Sequence, residues 1–159
     1  MEITFHPIGL IHSAFHDLAD MPIQPRGETS SPGTVEIYPQ FTEGLKDLEG
    51  FSHVILLFHL HKVSRMQLTV VPYLDTEPRG VFATRAPVRP NPIGLSVVPL
   101  RRIEGNILFV DGLDVLDGTP LLDIKPYIPE FDESVEVRIG WLEGVRGKAR
   151  FTRSDERFS

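Results

Sequence analysis

Residues 80–96 read GVFATRAPVRPNPIGLS. The apolar run Val81-Phe82-Ala83 has strand character, and Pro87, Pro90 and Pro92 follow closely. Proline locks φ, removes a backbone donor and pushes the preceding residue out of the α region. The stretch is therefore neither helix nor central strand, and its backbone is stiff and extended. Arg85 and Arg89 stand at an even spacing, so in an extended chain they point to one side. Asn91 adds an amide that both donates and accepts. Such a loop suits an anionic or hydrogen-bond-rich ligand. It equally describes a proline-stiffened connection whose arginines pair with surface carboxylates.

Outward from this loop the pattern is one of short strands. Thr4–Ser13 alternates loosely, Thr34–Tyr38 alternates strictly, and His53–His61 is a nearly continuous apolar run expected as a buried central strand. Gln67–Tyr73 is a further strand cut by Pro72, and Glu43–Phe51 fits one or two helical turns. After the loop, Ile93–Leu100 and Asn106–Val110 flank a turn at Glu104-Gly105. Leu113–Leu116, Leu121–Ile124 and Val135–Ile139 complete the expected strands. Short strands between turns, with 14 prolines and 13 glycines and almost no long amphipathic helix, predict an all-β barrel or sandwich. Residues 1–140 are expected to form one domain, with 141–159 as a short polar, basic tail.

The 159 residues suffice for a real core, and the 41% hydrophobic and 24% charged fractions are those of a soluble globular chain. There is no cysteine, which excludes disulfides, thiolate metal sites and a cysteine nucleophile. No stretch approaches the ~18 apolar residues of a membrane span. The first residues lack the basic and apolar regions of a signal peptide, so the cytoplasm is expected. The net charge of −6 argues against nonspecific nucleic-acid binding. Arginines concentrate at 79–102 and 138–157, however, which leaves room for one positive face.

The candidate chemistry has two-sided readings. His59 and His61 would share a strand face and could ligate a metal, but no zinc-type spacing supplies the remaining ligands. Asp117-Gly118-Thr119-Pro120 is a turn whose carboxylate, hydroxyl and amides could grip a small polar ligand; Asp117 could equally cap the turn. Asp123, Lys125 and Tyr127 share a strand face, as a polar site wall or an exposed cross-strand ion pair. The chain has no G-x-G-x-x-G after a strand, no P-loop and no G-x-S-x-G elbow.

In order along the chain stand Gly44-Leu45, Gly50-Phe51-Ser52-His53, Gly80-Val81-Phe82-Ala83-Thr84-Arg85, Arg89-Pro90-Asn91-Pro92-Ile93-Gly94, Asp117-Gly118-Thr119-Pro120 and Asp123-Ile124-Lys125-Pro126-Tyr127. This set resembles the TrmO (YaeB-like) family of S-adenosylmethionine-dependent tRNA adenine-N6 methyltransferases, from about Ile8 to Tyr127. The resemblance implies a non-Rossmann β-barrel, usually homodimeric, that methylates N6 of threonylcarbamoyladenosine beside the tRNA anticodon. It implies cofactor contacts at Pro22-Ile23-Gln24, His61, Lys62, Arg85, Leu95 and Asp117 to Pro120. Family members often carry arginine where this chain has Ile23, and long members add a C-terminal tRNA-holding domain after the barrel. On this reading Gln24 and the Asp117 turn hold the cofactor and Arg85 faces its carboxylate. Arg89, Asn91 and Lys125, with Tyr127 alongside, then face the RNA or the carboxylate of the modified base. Other readings of the same residues are a barrel that senses S-adenosylmethionine without catalysis, and a methyltransferase for a different acceptor.

Overall fold

The structure is a computed structural model that describes residues 1–20 and 31–145. Its main body is a sheet of six strands: β1 (Gly9–His12), β2 (Gly33–Ile37), β3 (His53–His59), β6 (Ile93–Glu104), β7 (Ile107–Val110) and β8 (Thr119–Pro126). They pair antiparallel in the order β1-β2-β7-β6-β3-β8, and β8 returns to β1, so the sheet closes into a barrel. The two short strands β4 (Thr69–Val70) and β5 (Arg79–Gly80) form a separate ribbon.

Period-two patterning fills the barrel. Val54, Leu56 and Phe58 of β3 point inward, where they meet Ile11, Val35, Ile37, Val98, Leu108 and Leu121. A barrel this small has its interior filled by side chains and leaves no channel. The long strand β6 makes closure possible. Its first half pairs with β3, its second half with β7, and the register shifts between Leu100 and Arg102. A bulge of this kind bends a strand and increases its twist, which carries it around the corner. Gly94 is required on β6 because a Cβ there would lie 2.1 Å from the Phe58 ring.

Several expected strands are shorter or absent. The Thr4–Ser13 strand contracts to β1 and the Gln67–Tyr73 strand to β4. β3 stops at His59 because the His61 N–H turns back to the His59 carbonyl at 2.8 Å, so His61 is not on the strand. Val81–Ala83 is a 3-10 turn rather than a strand, with Val81 buried and Phe82 75% exposed. Leu113–Leu116 forms no strand: Leu113 and Val115 plug the barrel end while the chain pairs only through a Phe15–Leu116 bridge. Val135–Ile139 is likewise not a strand, and Val135 and Val137 stand in solvent. The helical expectation over Glu43–Phe51 resolves into 3-10 turns at Pro39–Leu45 and Leu48–Gly50.

A second, smaller core of Val70, Val81, Ala86 and Val88 underpins the excursion between β3 and β6. It gives the proline-rich loop a packed floor of its own.

Candidate functional site

Strand direction gathers most of the candidate residues at one end of the barrel. β3 ends at His59, opposite Ile93 at the start of β6. β8 starts at Thr119 opposite Ile11, near the end of β1. The 60–92 excursion, the 111–118 crossing and the 13–32 connection therefore all leave the same end. His61, Lys62, Arg85, Arg89, Asn91, Leu95 and Asp117 to Pro120 accordingly share it. Pro22, Ile23 and Gln24 belong to the 13–32 connection but lie outside the described residues.

Lys125 and Tyr127 are not brought to this end. They lie at the far end of β8, where the Tyr127 N–H bonds the His53 carbonyl. At ~3.3 Å per residue, Lys125 is ~20 Å along the strand from Thr119. Lys125 pairs with Asp123 at 3.0 Å, and the Tyr127 hydroxyl donates to Glu133. The pair is exposed, but it joins two residues of one strand and does not cross to a neighbouring strand. The groove lined by Leu45, Lys46, Glu49 and Ile103 is also at that far end, and none of the candidate residues lines it.

The Asp117 turn is pinned from several sides. The Asp117 N–H bonds the Phe15 carbonyl and the Gly118 N–H the Ile11 carbonyl, both at 2.8 Å. The Ser13 N–H donates to Asp117 Oδ1 at 3.0 Å, with the His12 and His16 rings 3.6 and 3.7 Å from the carboxylate. Gly118 takes φ of +78°, a left-handed geometry that costs other residues strain. The Thr119 hydroxyl is buried and donates to the Leu116 carbonyl at 2.8 Å, so it staples the turn. Asp117 thus caps the turn, which is held in one shape.

The two loop arginines have parted company. Arg89 folds back on its own loop, where Nη1 donates to the Thr84 and Ala86 carbonyls at 2.9 and 3.0 Å. Arg85 is exposed. Its charge is felt by Asp114, which no sequence motif singled out. Asp114 Oδ1 accepts a 2.6 Å hydrogen bond from the Ser96 hydroxyl. The residue keeps some accessible surface, yet its carboxyl is largely shielded from water, and for titration the surroundings of the carboxyl are what count. This burial pushes Asp114 up from 3.8 to about 6, against the opposing pull of the Ser96 bond and the Arg85 charge. One signal was available in the sequence. Positions 94, 96 and 98 share the inward face of β6, and a hydroxyl at Ser96 asks for a buried partner.

His61 is held below its ordinary value, first by burial and then by the neighbouring Lys62 charge, so its ring is neutral at pH 7. Apolar surface completes this end: Leu95 is 48% exposed, and Ile93 and Phe82 are exposed with it. A guanidinium, a neutral imidazole, a rigid turn and exposed apolar side chains suit a ligand with a carboxylate and a flat apolar body. Among the described residues no group of three His, Asp or Glu side chains is placed to hold a metal, and no helix is long and apolar enough to cross a membrane.

Comparison with known proteins agrees on one family. Residues 10–133 match the model of the tRNA-methyltransferase O N-terminal domain. A probable S-adenosyl-L-methionine-binding protein of Pyrococcus abyssi is 56% identical over 98% of this chain and 85% of its own. The mouse tRNA (adenine(37)-N6)-methyltransferase is 39% identical over 79% of this chain, which spans 31% of that protein. The crystal structure of TrmO from Pseudomonas aeruginosa superposes with a TM-score of 0.75 at 43% identity, covering 89% of this chain and 63% of that one. The chain thus spans less than two thirds of the solved TrmO structure that it matches. Its β-dominated fold is that of TrmO, and the chain belongs to the tRNA-methyltransferase O N-terminal domain family.

Proposed function

We propose that this chain is an S-adenosylmethionine-dependent methyltransferase acting on N6 of an adenosine in tRNA, namely the threonylcarbamoylated adenosine beside the anticodon. The observation that carries the reading is the convergence of Arg85, Leu95, His61 and the Asp117 turn on one barrel end. The residues fit the cofactor's chemistry. An exposed guanidinium matches a carboxylate in two-point fashion, and the apolar surface of Leu95 suits a flat base. The carboxylate of the Asp117 turn suits hydroxyl and amino groups.

When bound, S-adenosylmethionine supplies an already activated methyl group, so no strong base is demanded of the protein. The chain's part is to orient and approximate, and holding reactants in near-attack geometry accounts for much of such an acceleration. Arg85 anchors a carboxylate, the Asp117 turn fixes the register of the bound molecule, and neutral His61 offers an acceptor or a stacking face. Gln24, with Pro22 and Ile23, is assigned to the same cofactor site by family position. Asn91 is exposed on the loop rim and is assigned to the RNA side. The exposed Ile93 and Phe82 also suit a homodimeric arrangement, and a tRNA substrate accords with a cytoplasmic protein.

The test is calorimetric titration with S-adenosylmethionine, followed by incubation with threonylcarbamoylated tRNA and mass spectrometry of the nucleosides. Binding and a product heavier by one methyl group support the reading. Binding with turnover on unmodified tRNA alone removes the threonylcarbamoyl assignment. A second reading is a cofactor sensor without catalysis, in keeping with the Pyrococcus abyssi relative, a probable S-adenosyl-L-methionine-binding protein. Micromolar binding without turnover on any tRNA selects it.

A further inference from the structure

The peptide that carries Arg85 is held from behind by the second arginine. Arg89 Nη1 reaches the carbonyl oxygens of Thr84 and Ala86, the two residues that flank Arg85. Thr84 extends the brace: its Oγ1 donates to the Val81 carbonyl at 2.8 Å and accepts the Ala86 N–H at 3.2 Å. Ala86 and Val88 are seated in the small second core, so the loop is packed beneath as well as clamped above. The Arg89 N–H is itself used, donating to the Pro87 carbonyl at 2.8 Å. Among the described residues Arg85 makes no hydrogen bond or ion pair, and its charge is felt by Asp114. One guanidinium is thus consumed in bracing the backbone, and the other is presented.

We propose that Arg89 is a positioning residue. By clamping both carbonyls beside Arg85 it aims the Arg85 guanidinium at the carboxylate of the bound ligand. The planar fork explains why arginine stands there, because one Nη carries two N–H bonds in a fixed plane that diverge toward two acceptors. The Asp114 carboxylate, tied to Ser96, feels the Arg85 charge. The inference rests on the proposed role of Arg85 as the carboxylate contact.

Two probes separate aiming from mere folding. S-adenosylmethionine carries the carboxylate, whereas 5′-methylthioadenosine shares the nucleoside and sulfur but lacks it. Calorimetry on R85M should show a loss of roughly 30-fold for S-adenosylmethionine, with 5′-methylthioadenosine held within about twofold, as for a lost charge-assisted pair. R89M should lose roughly 5- to 10-fold with the same discrimination. The R85M/R89M protein should bind no more weakly than R85M, because the clamp then has nothing to aim. Equal losses of both probes in R89M, or a double-mutant loss equal to the product of the single ones, overturn the proposal. If R85M discriminates and R89M does not, the proposal fails while the Arg85 reading stands. If R85M itself treats both probes alike, the Arg85 reading fails and the clamp goes with it. Should R89M not fold, R89K keeps a donor without the fork and is expected to lose about threefold for S-adenosylmethionine alone; equal effects on both probes are again the overturning result.

Discussion

Replacing Asp114 with asparagine isolates the cost of keeping a charge at the packed end of the barrel. The carboxyl is lifted from its ordinary 3.8 to about 6. At about 1.4 kcal/mol per tenfold, that interval corresponds to ~3 kcal/mol. The sign follows from linkage. Below 3.8 the group is protonated in both folded and unfolded chains, and the cost is absent. As pH rises through the interval the unfolded chain ionises first, so folding loses stability, and above about 6 the loss is complete. Asparagine keeps the shape and an acceptor for the Ser96 hydroxyl but does not titrate. Urea unfolding of both proteins from pH 4 to pH 8 should therefore show D114N gaining on the parent by up to ~3 kcal/mol across that range, most of it between pH 4 and 6. Any constant offset from the isostere cancels in this difference, as do the other carboxylates common to both proteins. A stability difference that is flat with pH refutes the reasoning. A difference that moves in the parent's favour does so more strongly, since it puts the Arg85 charge ahead of burial. A carboxylate retained at this cost, beside an arginine of the candidate site, marks a place where stability has been given up.

The same pair predicts a second shift. R85M removes the charge that holds Asp114 down, so the carboxyl midpoint followed by NMR should move further up; no movement separates the two groups. G94A drives a methyl into the Phe58 ring and should cost about 1–3 kcal/mol in urea unfolding, as overpacking does; a neutral result would show that the ring turns aside freely. W141F removes the 2.8 Å bond from Trp141 Nε1 to the Ala83 carbonyl and weakens the stacking of Arg79 on the ring, so hydrogen exchange at Val81–Thr84 should quicken by roughly 5- to 10-fold, for about 1 kcal/mol of local stability. Unchanged exchange there would mean that Trp141 does not brace the loop.

The sequence by itself determined what depends on neighbours along the chain. The alternation of Thr34–Tyr38 and the apolar run from His53 mark β2 and β3, because side chains of a strand alternate between its two faces whatever the strand pairs with. The prolines from Pro87 to Pro92 exclude helix for the same local reason. Pattern does not say which alternating segments find a partner. Leu113–Leu116 and Val135–Ile139 share the alternation, yet one plugs the barrel end and the other stands in solvent, and only the closed set of pairings separates them from true strands. The site divides along the same line. Arg85, Leu95, His61 and the Asp117 turn were legible as motifs, but their meeting at one end follows from the antiparallel order of β1, β3, β6 and β8. Equal spacing on an extended chain placed Arg85 and Arg89 side by side. The folded loop instead turned one of them onto its own carbonyls, because a guanidinium satisfies nearby backbone acceptors that water cannot easily reach. The bond between Ser96 and Asp114 joins positions 18 residues apart, and no local rule connects them; tertiary structure alone decided that pair, because burial and charge are properties of the surroundings and not of the chain.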